Sequence, residues 1–334
     1  MENRPRNPAV EKGSKIVPVP TAMLGVVIVT HNNEHDLKRC LDSLQTIGNA
    51  SDAYVIVRDC NSTDQTVELA KEHPIVSKVV VGENVGYGSG CNSAVQAIER
   101  PIEMVLILNP DTVLDFDVAD LLSYVDRYPG FGCASVRQES FDGHLVWSWD
   151  EFPSSQLEWR KAKHTKLLQR STDGYGCDRR VDWTMGAFLL IPYSEYKKVK
   201  GFDEQFFMFC EETDLCKRLN TKGAPTYYID SFRFLHDRSD KGSLWREVLR
   251  INSRRMYDKK WLSRSETLAC QFAHTYRWLH DAVHPARPRD RYLAFPRLLA
   301  TWDLIHAVTP PDSVQTNLDS WRSVRPFWSA VNRS

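Results

Sequence analysis

Residues 25–30 read Gly-Val-Val-Ile-Val-Thr, a short run of mostly β-branched side chains that predicts a strand buried on both faces of a parallel sheet. Three more apolar runs follow it, at residues 54–59, 78–81 and 104–108. Between them, helical spacing or a helix-start signal occurs at residues 34–44, from Ser62 or Thr63, and at residues 91–98. Strand and helix alternate four times within ninety residues, which predicts an α/β fold with a doubly wound, mostly parallel sheet and flanking helices.

Polar side chains follow these predicted strands. Sheets of this type bind ligands beyond the carboxyl ends of their strands, so these side chains are candidates for a binding site. Asp59 ends the second strand and is placed to accept hydrogen bonds from a nucleotide base or ribose; the alternative is an Asx turn or a helix cap. Asp111 follows Asn109 and Pro110 after the fourth strand. Its oxygens suit Mg²⁺ or Mn²⁺ bound together with diphosphate oxygens, and the alternative is a simple turn.

Residues 84–92, Asn-Val-Gly-Tyr-Gly-Ser-Gly-Cys-Asn, form a Gly-rich segment before a predicted helix. Glycines let a backbone approach a phosphate closely, and a helix N-terminus favours an anion. The spacing differs from the dinucleotide fingerprint, and the segment follows the third strand instead of the first, which excludes a nicotinamide dehydrogenase. An ordinary Gly-rich turn is the alternative reading.

Three carboxylates follow the aromatic run at residues 206–209: Glu211, Glu212 and Asp214. Acidic side chains in the first turn stabilise a helix through its dipole, which is one explanation for them. Neighbouring carboxylates beside apolar rings also raise each other's pKa, which suits a general base that works near neutral pH. His236 follows a strand-like run at residues 232–235. A lone His is usually structural, but one that faced the crevice would bind a metal or a phosphate.

Taken together, these segments resemble glycosyltransferase family 2, the inverting enzymes of the GT-A fold, and within it the rhamnosyltransferase-like branch. The resemblance covers residues 24–240. It rests on six segments in the family's order and spacing, at residues 27–32, 59–64, 84–92, 108–111, 183–187 and 201–215.

The resemblance implies the residues of catalysis and of metal binding. Glu212 matches the position of the catalytic base, with Glu211 as the alternative. A divalent metal, Mg²⁺ or Mn²⁺, would bind at Asp111 and His236. Asp111 matches the second Asp of the family's DxD element, and Asn109 occupies the first position, as is usual in the rhamnosyl branch.

The resemblance also implies two binding regions. The acceptor region contains three residues of the later segments: Trp183, Gly186 and Asp214. The nucleotide-sugar region contains residues that follow the strands or belong to the Gly-rich segment: Thr30, His31, Asn32, Asp59, Asn84, Gly86, Asn92 and Asn109. Cys60 departs from the pattern, because Asn is common there in the family.

The implied reaction is a single displacement, in which an acceptor hydroxyl attacks the anomeric carbon of a nucleotide-activated sugar. The branch indicates dTDP-rhamnose as the donor and a saccharide or lipid-linked saccharide as the acceptor, in cell-surface polysaccharide synthesis. The alternative is a non-catalytic sugar-nucleotide-binding or scaffold module with a transferase fold. A processive polysaccharide synthase is disfavoured, because the sequence has no membrane-spanning run and no Gln-x-x-Arg-Trp element.

The chain has 334 residues, 42% hydrophobic and 26% charged, a composition that predicts a folded protein. We expect three parts: a flexible arm at residues 1–22, a catalytic domain at 23–240, and a helical extension at 241–334. The catalytic domain would divide into a nucleotide-sugar half, residues 23–115, and an acceptor half, residues 116–240.

Charge is unevenly distributed, although its formal sum is zero. Residues 231–334 carry a balance of +8 and the rest −8, and six of the ten tryptophans lie after residue 240. Such an extension suits an anionic membrane surface; a helical subdomain with buried Trp is the alternative. The eight cysteines form no CxxC pair, and residues 1–20 lack a signal-peptide core. We therefore expect a cytoplasmic protein with reduced thiols, at most peripheral at the inner face of the cell membrane, and no nucleic-acid partner.

Overall fold

The computed structural model describes residues 24–44, 53–163, 176–236, 244–285 and 288–303. The predicted arm at residues 1–22 lies outside the described residues, as do Trp321 and Trp328. The first half alternates strand and helix as expected: β1 (Leu24–Thr30), α1 (Glu34–Ser43), β2 (Ala53–Cys60), α2 (Thr66–Glu72), β3 (Val76–Gly82), α3 (Tyr87–Gln96) and β4 (Met104–Leu108).

The alternation breaks down after β4. The next elements are β5 (Val113–Leu114), α4 (Val118–Val125), β6 (Cys133–Glu139), β7 (Leu145–Val146), β8 (Trp149–Asp150), α5 (Ser155–Lys163), β9 (Arg179–Val181), β10 (Trp183–Thr184), β11 (Phe188–Pro192), α6 (Tyr193–Lys198), α7 (Glu211–Thr221) and β12 (Thr226–Leu235). Three helices follow: α8 (Leu244–Trp261), α9 (Arg264–Val283) and α10 (Pro288–Thr301).

The main sheet has the strand order β3-β2-β1-β4-β11-β6-β12-β5. The first four strands are parallel, and β11 runs antiparallel to both β4 and β6. The predicted α/β architecture is confirmed, with antiparallel pairings added where the first half of the sheet joins the second. This order brings the carboxyl ends of β1, β2 and β4 to one edge.

All seven residues of β1 are buried, as the β-branched run predicted. Val26 and Ile28 belong to the core shared with α1, whereas Val27 and Val29 belong to the core shared with α3. Because side chains alternate along a strand, one short apolar run supplies both layers.

Two helices begin at other residues than predicted. α2 begins at Thr66, because the Asp64 carboxylate accepts hydrogen bonds from the amides of Thr66 and Glu34, each at 3.1 Å. α3 begins at Tyr87, four residues before the predicted start, so part of the Gly-rich segment is helical.

The C-terminal helices pack on the sheet domain through a buried carboxylate. Glu158 of α5 lies 3.2 Å from Arg254 Nη1 of α8 and 2.9 Å from His274 Nε2 of α9. Burial alone would raise the pKa of Glu158, but the neighbouring Arg254 and His274 hold it well below its usual range. Trp278 is buried, which agrees with a helical subdomain at these residues. Within the described ranges, no helix is long and apolar enough to cross a bilayer.

Candidate active site

Asp111 and His236 come together because β5 pairs with β12. Val113, two residues after Asp111, pairs with Leu235, the residue before His236. His236 Nε2 lies 3.1 Å from Asp111 Oδ1. That oxygen is buried and makes no aligned hydrogen bond, while the Asp111 side chain as a whole keeps 28% exposure. Asp111 therefore has one carboxylate oxygen buried against His236, and the rest of its side chain stays partly exposed to a ligand.

Gln138 on β6 sets the proton position of His236. Its amide nitrogen lies 2.7 Å from His236 Nδ1 and 3.0 Å from the His236 carbonyl oxygen, so its two N–H groups donate to both. A neutral imidazole whose Nδ1 accepts a hydrogen bond carries its proton on Nε2. Nε2 therefore faces Asp111 as a donor. In this arrangement Nε2 suits donation to a carboxylate or a phosphate, and the predicted role of His236 as a metal ligand stays a prediction.

A divalent metal fits this site only as a weakly held ion. Among the residues described, no group of three or more His, Cys, Asp or Glu side chains is arranged to hold a metal. Asp111 supplies a single carboxylate, one oxygen of which makes no aligned hydrogen bond. A single carboxylate suits a metal that is held mainly by substrate phosphates and water.

Replacing Gln138 with glutamate is expected to tighten Mn²⁺ binding. A carboxylate would accept a hydrogen bond from Nδ1 and leave the lone pair of Nε2 facing Asp111, which adds a second ligand. Partners of this kind change metal affinity by about 10–100-fold. Mn²⁺ titration followed by electron paramagnetic resonance measures the effect. Gln138→Leu removes the donor without supplying an acceptor, so equal tightening in both variants would contradict the assignment.

Glu211 and Glu212 form the first turn of α7. One carboxylate oxygen of each is buried without a hydrogen-bond partner. Burial raises the pKa of Glu212 to about 7, against the opposing effect of helix amides. Burial, followed by the charge of Glu212, raises the pKa of Glu211 well above its usual range. Glu212 is therefore poised to accept a proton near neutral pH.

The two acids follow a strained backbone segment. Phe209 and Cys210 have φ angles of 71° and 66°, in the left-handed region that costs about 1–2 kcal/mol per non-glycine residue. Phe209 packs against the apolar cluster of α8, and Ser253 Oγ donates to the Met208 carbonyl at 2.7 Å. The C-terminal helices therefore hold the entry to α7 in a conformation it would not adopt alone.

Tyr87 is a site residue that the sequence analysis missed. Its hydroxyl donates to the Gly186 carbonyl at 2.9 Å. Burial, then the charges of Cys91, Glu211, Glu212 and Asp111 in that order, raise the pKa of Tyr87 well above its usual range. The feature of the sequence that could have identified Tyr87 is its position between two glycines, Gly86 and Gly88. Tyr87 thus hydrogen-bonds the backbone of residue 186 and lies close enough to Glu211 and Glu212 for their charges to affect its pKa.

Gly186 lies directly beside the proposed base. A Cβ added there would approach the Glu212 Cβ and the Tyr87 ring, each at 3.6 Å. The predicted acceptor residue and the predicted base are therefore neighbours.

The glycines of the Gly-rich segment serve packing. A Cβ at Gly88 would lie 2.9 Å from Phe202 Cβ, and one at Gly90 would lie 2.9 Å from Val29 Cγ1. Gly86 has φ 91°, and a Cβ there would overlap the carbonyl oxygen of Phe207. The Asn84 side chain accepts from the Gly86 amide at 3.3 Å, as in an Asx turn. The structure therefore favours the alternative reading, in which this segment is a turn that leads into a helix and its glycines are required by close packing. Gly86 in particular is required by its left-handed backbone and by its contact with Phe207.

Gly86→Ala is expected to destabilise the protein by at least about 2 kcal/mol. The added methyl would combine a left-handed backbone with an overlap against Phe207, next to the segment that leads into α7. Urea denaturation measures the loss. Gly143→Ala is the matched control, because Gly143 has φ 81° and nothing within 4 Å of an added Cβ. Equal losses in the two variants would attribute the effect to backbone strain alone.

The polar residues after β1 and β2 form one hydrogen-bonded unit. Asp59 is fully buried; its carboxylate accepts from the Thr30 hydroxyl at 3.1 Å, from the Ser62 amide at 2.9 Å and from the Ser62 hydroxyl. These bonds form the Asx-type turn named as the alternative. Asn32 Oδ1 accepts from the Thr63 amide at 2.8 Å, and the His31 ring contacts the Cys60 carbonyl at 2.7 Å. His31 and Asn32 remain exposed, so their predicted nucleotide contact stays a prediction, as does that of Asp59.

The structure gives Asn92 a structural role instead of the predicted nucleotide contact. Its amide nitrogen donates to the Phe202 carbonyl at 3.0 Å and to Glu204 at 2.9 Å. Its oxygen accepts from the Tyr196 hydroxyl at 2.6 Å and from the Phe202 amide at 2.9 Å. All four hydrogen-bonding positions of the side chain are used within the protein, which leaves none for a ligand.

Asp214 is likewise structural and not an acceptor residue. It is fully buried and lies 2.7 Å from Arg218 Nε, 2.8 Å from Trp261 Nε1 and 2.6 Å from Lys260 Nζ. Its carboxylate links α7 to the end of α8, so a sugar has no access to it.

Trp183 is half-buried, and its ring meets that of Trp147 edge-on at 5.7 Å. Its Nε1 donates to the Glu151 carbonyl at 2.9 Å, which fixes the plane of the indole. Trp147 was not among the site residues predicted from the sequence. Asn109 is held through its backbone, with its amide donating to the Ala187 carbonyl at 3.0 Å. The predicted sugar contacts of Trp183 and Asn109 stay predictions.

Comparison with known proteins finds that the chain is similar to glycosyltransferases. The model of glycosyl transferase family 2 matches residues 25–186. Rhamnosyltransferase WbbL of Escherichia coli K12 is 31% identical over 233 residues, which cover 64% of this chain and 83% of that protein. N-acetylglucosaminyl-diphospho-decaprenol L-rhamnosyltransferase of Mycobacterium tuberculosis is 28% identical over 244 residues, 66% of this chain and 77% of that protein.

Solved structures share the fold at much lower identity. The mannosyltransferase of Pyrobaculum calidifontis, solved with GDP-Man and Mn²⁺, superposes with a TM-score of 0.52 at 14% identity, covering 93% of this chain and 83% of that one. The sheet with its flanking helices is thus of the GT-A type. With the relatives above, it shows that the chain belongs to glycosyltransferase family 2, as an enzyme of its rhamnosyltransferase-like branch.

Proposed function

We propose that the chain transfers rhamnose, with inversion, from dTDP-rhamnose to a hydroxyl of a saccharide acceptor. The observation that carries the catalytic part is the Glu212 carboxylate, which has an unpartnered oxygen and a pKa of about 7 and lies next to Gly186. The choice of rhamnose rests on the 31% identity to a named rhamnosyltransferase.

The chemistry is a single displacement with Glu212 as the base. The acceptor O–H bond breaks and its proton passes to Glu212, while that oxygen forms a bond to the anomeric carbon. The bond from the anomeric carbon to the diphosphate oxygen breaks, and its electron pair leaves with the nucleoside diphosphate. A base removes the proton best when its pKa is close to the operating pH, which a carboxylate with an ordinary pKa would not achieve.

The leaving diphosphate would be received by Asp111 and His236. We propose that Asp111 holds a divalent cation, and when bound the cation neutralises charge that develops on the diphosphate. The Nε2–H of His236 would donate to Asp111 or to a phosphate oxygen, consistent with the tautomer that Gln138 imposes. Intact Asp111, Glu212 and His236 argue against the non-catalytic alternative.

The acceptor is proposed to be lipid-linked, and the protein to act at the inner face of the cell membrane. The name of the mycobacterial relative describes an acceptor on decaprenyl diphosphate. A sugar on such a carrier stays at the bilayer surface, so an enzyme that uses it needs only peripheral contact.

The donor is tested with dTDP-rhamnose, UDP-N-acetylglucosamine and GDP-mannose, each with Mg²⁺ and with Mn²⁺. We expect dTDP-rhamnose to raise the melting temperature most and to be hydrolysed slowly without an acceptor. Preference for another donor would overturn the rhamnose assignment. Binding with no hydrolysis and no transfer to any acceptor would support the binding-module alternative.

A further inference from the structure

The described C-terminal helices carry most of the exposed apolar surface. Eight large apolar side chains are exposed among the described residues, and six of them lie on α9 and α10. Soluble proteins seldom gather such side chains on one surface without a partner.

Five of these six form a continuous line on α9. They are spaced by four, four, three and four residues and are 45–65% exposed: Leu268, Phe272, Tyr276, Leu279 and Val283. We call this set the α9 face. Positions three and four apart lie on the same side of a helix, so the face is about 22 Å long. Cys270, Ala273 and Trp278 are buried between these positions, so the helix is anchored by its opposite side.

The chain that follows the α9 face is basic. Residues 284–291, directly after Val283, read His-Pro-Ala-Arg-Pro-Arg-Asp-Arg, with three arginines and one acid. At the other end of the helix, Arg264 and Glu266 are both exposed and their charges balance. An apolar helix face followed by a basic segment is typical of helices that lie in the headgroup region of an anionic bilayer.

We propose that the α9 face docks on an anionic lipid surface. The proposal deepens the proposed function, since it rests on a membrane-bound acceptor and identifies the surface that reaches the membrane. α9 also shares the buried Glu158 cluster with α8, and α8 supports the segment that leads into Glu211 and Glu212. Docking through α9 would therefore fix the height of the active site above the bilayer.

The test is co-sedimentation of the full chain with phosphatidylcholine vesicles, with and without phosphatidylglycerol. We expect binding to the anionic vesicles, and a loss of at least about tenfold in Phe272→Glu/Leu279→Glu, because two buried apolar contacts become charges. Val81→Glu is the matched control, because Val81 is 55% exposed on β3, away from the extension. Circular dichroism verifies that each variant is folded.

Three outcomes would overturn the docking proposal. They are equal vesicle binding by the double variant and the parent, no binding by the parent, and a dimer in light scattering that the double variant converts to a monomer. The last outcome would assign the α9 face to a second copy. Donor hydrolysis is measured without vesicles and vesicle binding without donor, so failure of docking is separate from failure of the proposed reaction.

Discussion

Glu212→Gln is expected to lower kcat by about 10²–10⁴-fold while nucleotide binding is retained. The amide keeps the shape of the side chain but cannot accept a proton from the acceptor hydroxyl. Steady-state transfer with a saturating acceptor measures kcat, and calorimetry with the nucleoside diphosphate measures binding.

Glu211→Gln is the matched control for this prediction. Glu211 is more deeply buried, and this burial raises its pKa and favours the uncharged form, which a neutral amide imitates. We expect it to retain most of the activity. If Glu211→Gln loses turnover and Glu212→Gln does not, the base is Glu211.

The pH profile gives a second readout of the same assignment. The pKa of Glu212 is raised, so its carboxyl is protonated below about pH 7 and inactive as a base. We expect kcat to fall as the pH drops through about 7 and to level off above it. A kcat that stays constant as the pH drops through about 7 would contradict the assignment.

Asp111→Asn is expected to lower kcat/KM by at least about 10²-fold and to weaken Mn²⁺ binding. A metal contributes several kcal/mol to charge stabilisation in the transition state, and each 1.36 kcal/mol corresponds to tenfold in rate. A neutral amide is a poorer ligand for a hard cation. Turnover against metal concentration and Mn²⁺ binding by paramagnetic resonance are the two measurements.

Asp115→Asn provides the control for this variant. Asp115 lies four residues along the chain and pairs with Arg233 on the surface, where such a pair contributes about 0–1 kcal/mol. We expect its activity to match the parent. Unchanged metal dependence in Asp111→Asn would show that Asp111 is not the ligand.

The bounds of β4 could be predicted from the sequence, but the structural role of Asn92 could not. Both outcomes have the same cause, which is the distance along the chain between the residues that interact. β4 was predicted with the bounds it has, because five consecutive apolar residues bordered by polar ones define a strand locally. Asn92 was assigned to a ligand because it ends a Gly-rich segment. Its four hydrogen bonds are made with three residues, Tyr196, Phe202 and Glu204, which lie about a hundred positions away and which no local pattern indicates.

The sequence by itself determined the fold class and the residues that end the strands, since both depend on short-range periodicity. It also determined the family, through six short segments in order. Only the tertiary structure decided which polar side chains keep unsatisfied atoms. Asn92 and Asp214 use theirs within the protein, whereas Asp111 and Glu212 each keep one oxygen without an aligned hydrogen bond. Hydrogen-bond capacity is consumed by contacts between distant segments, so the capacity left for a ligand is a property of the folded chain.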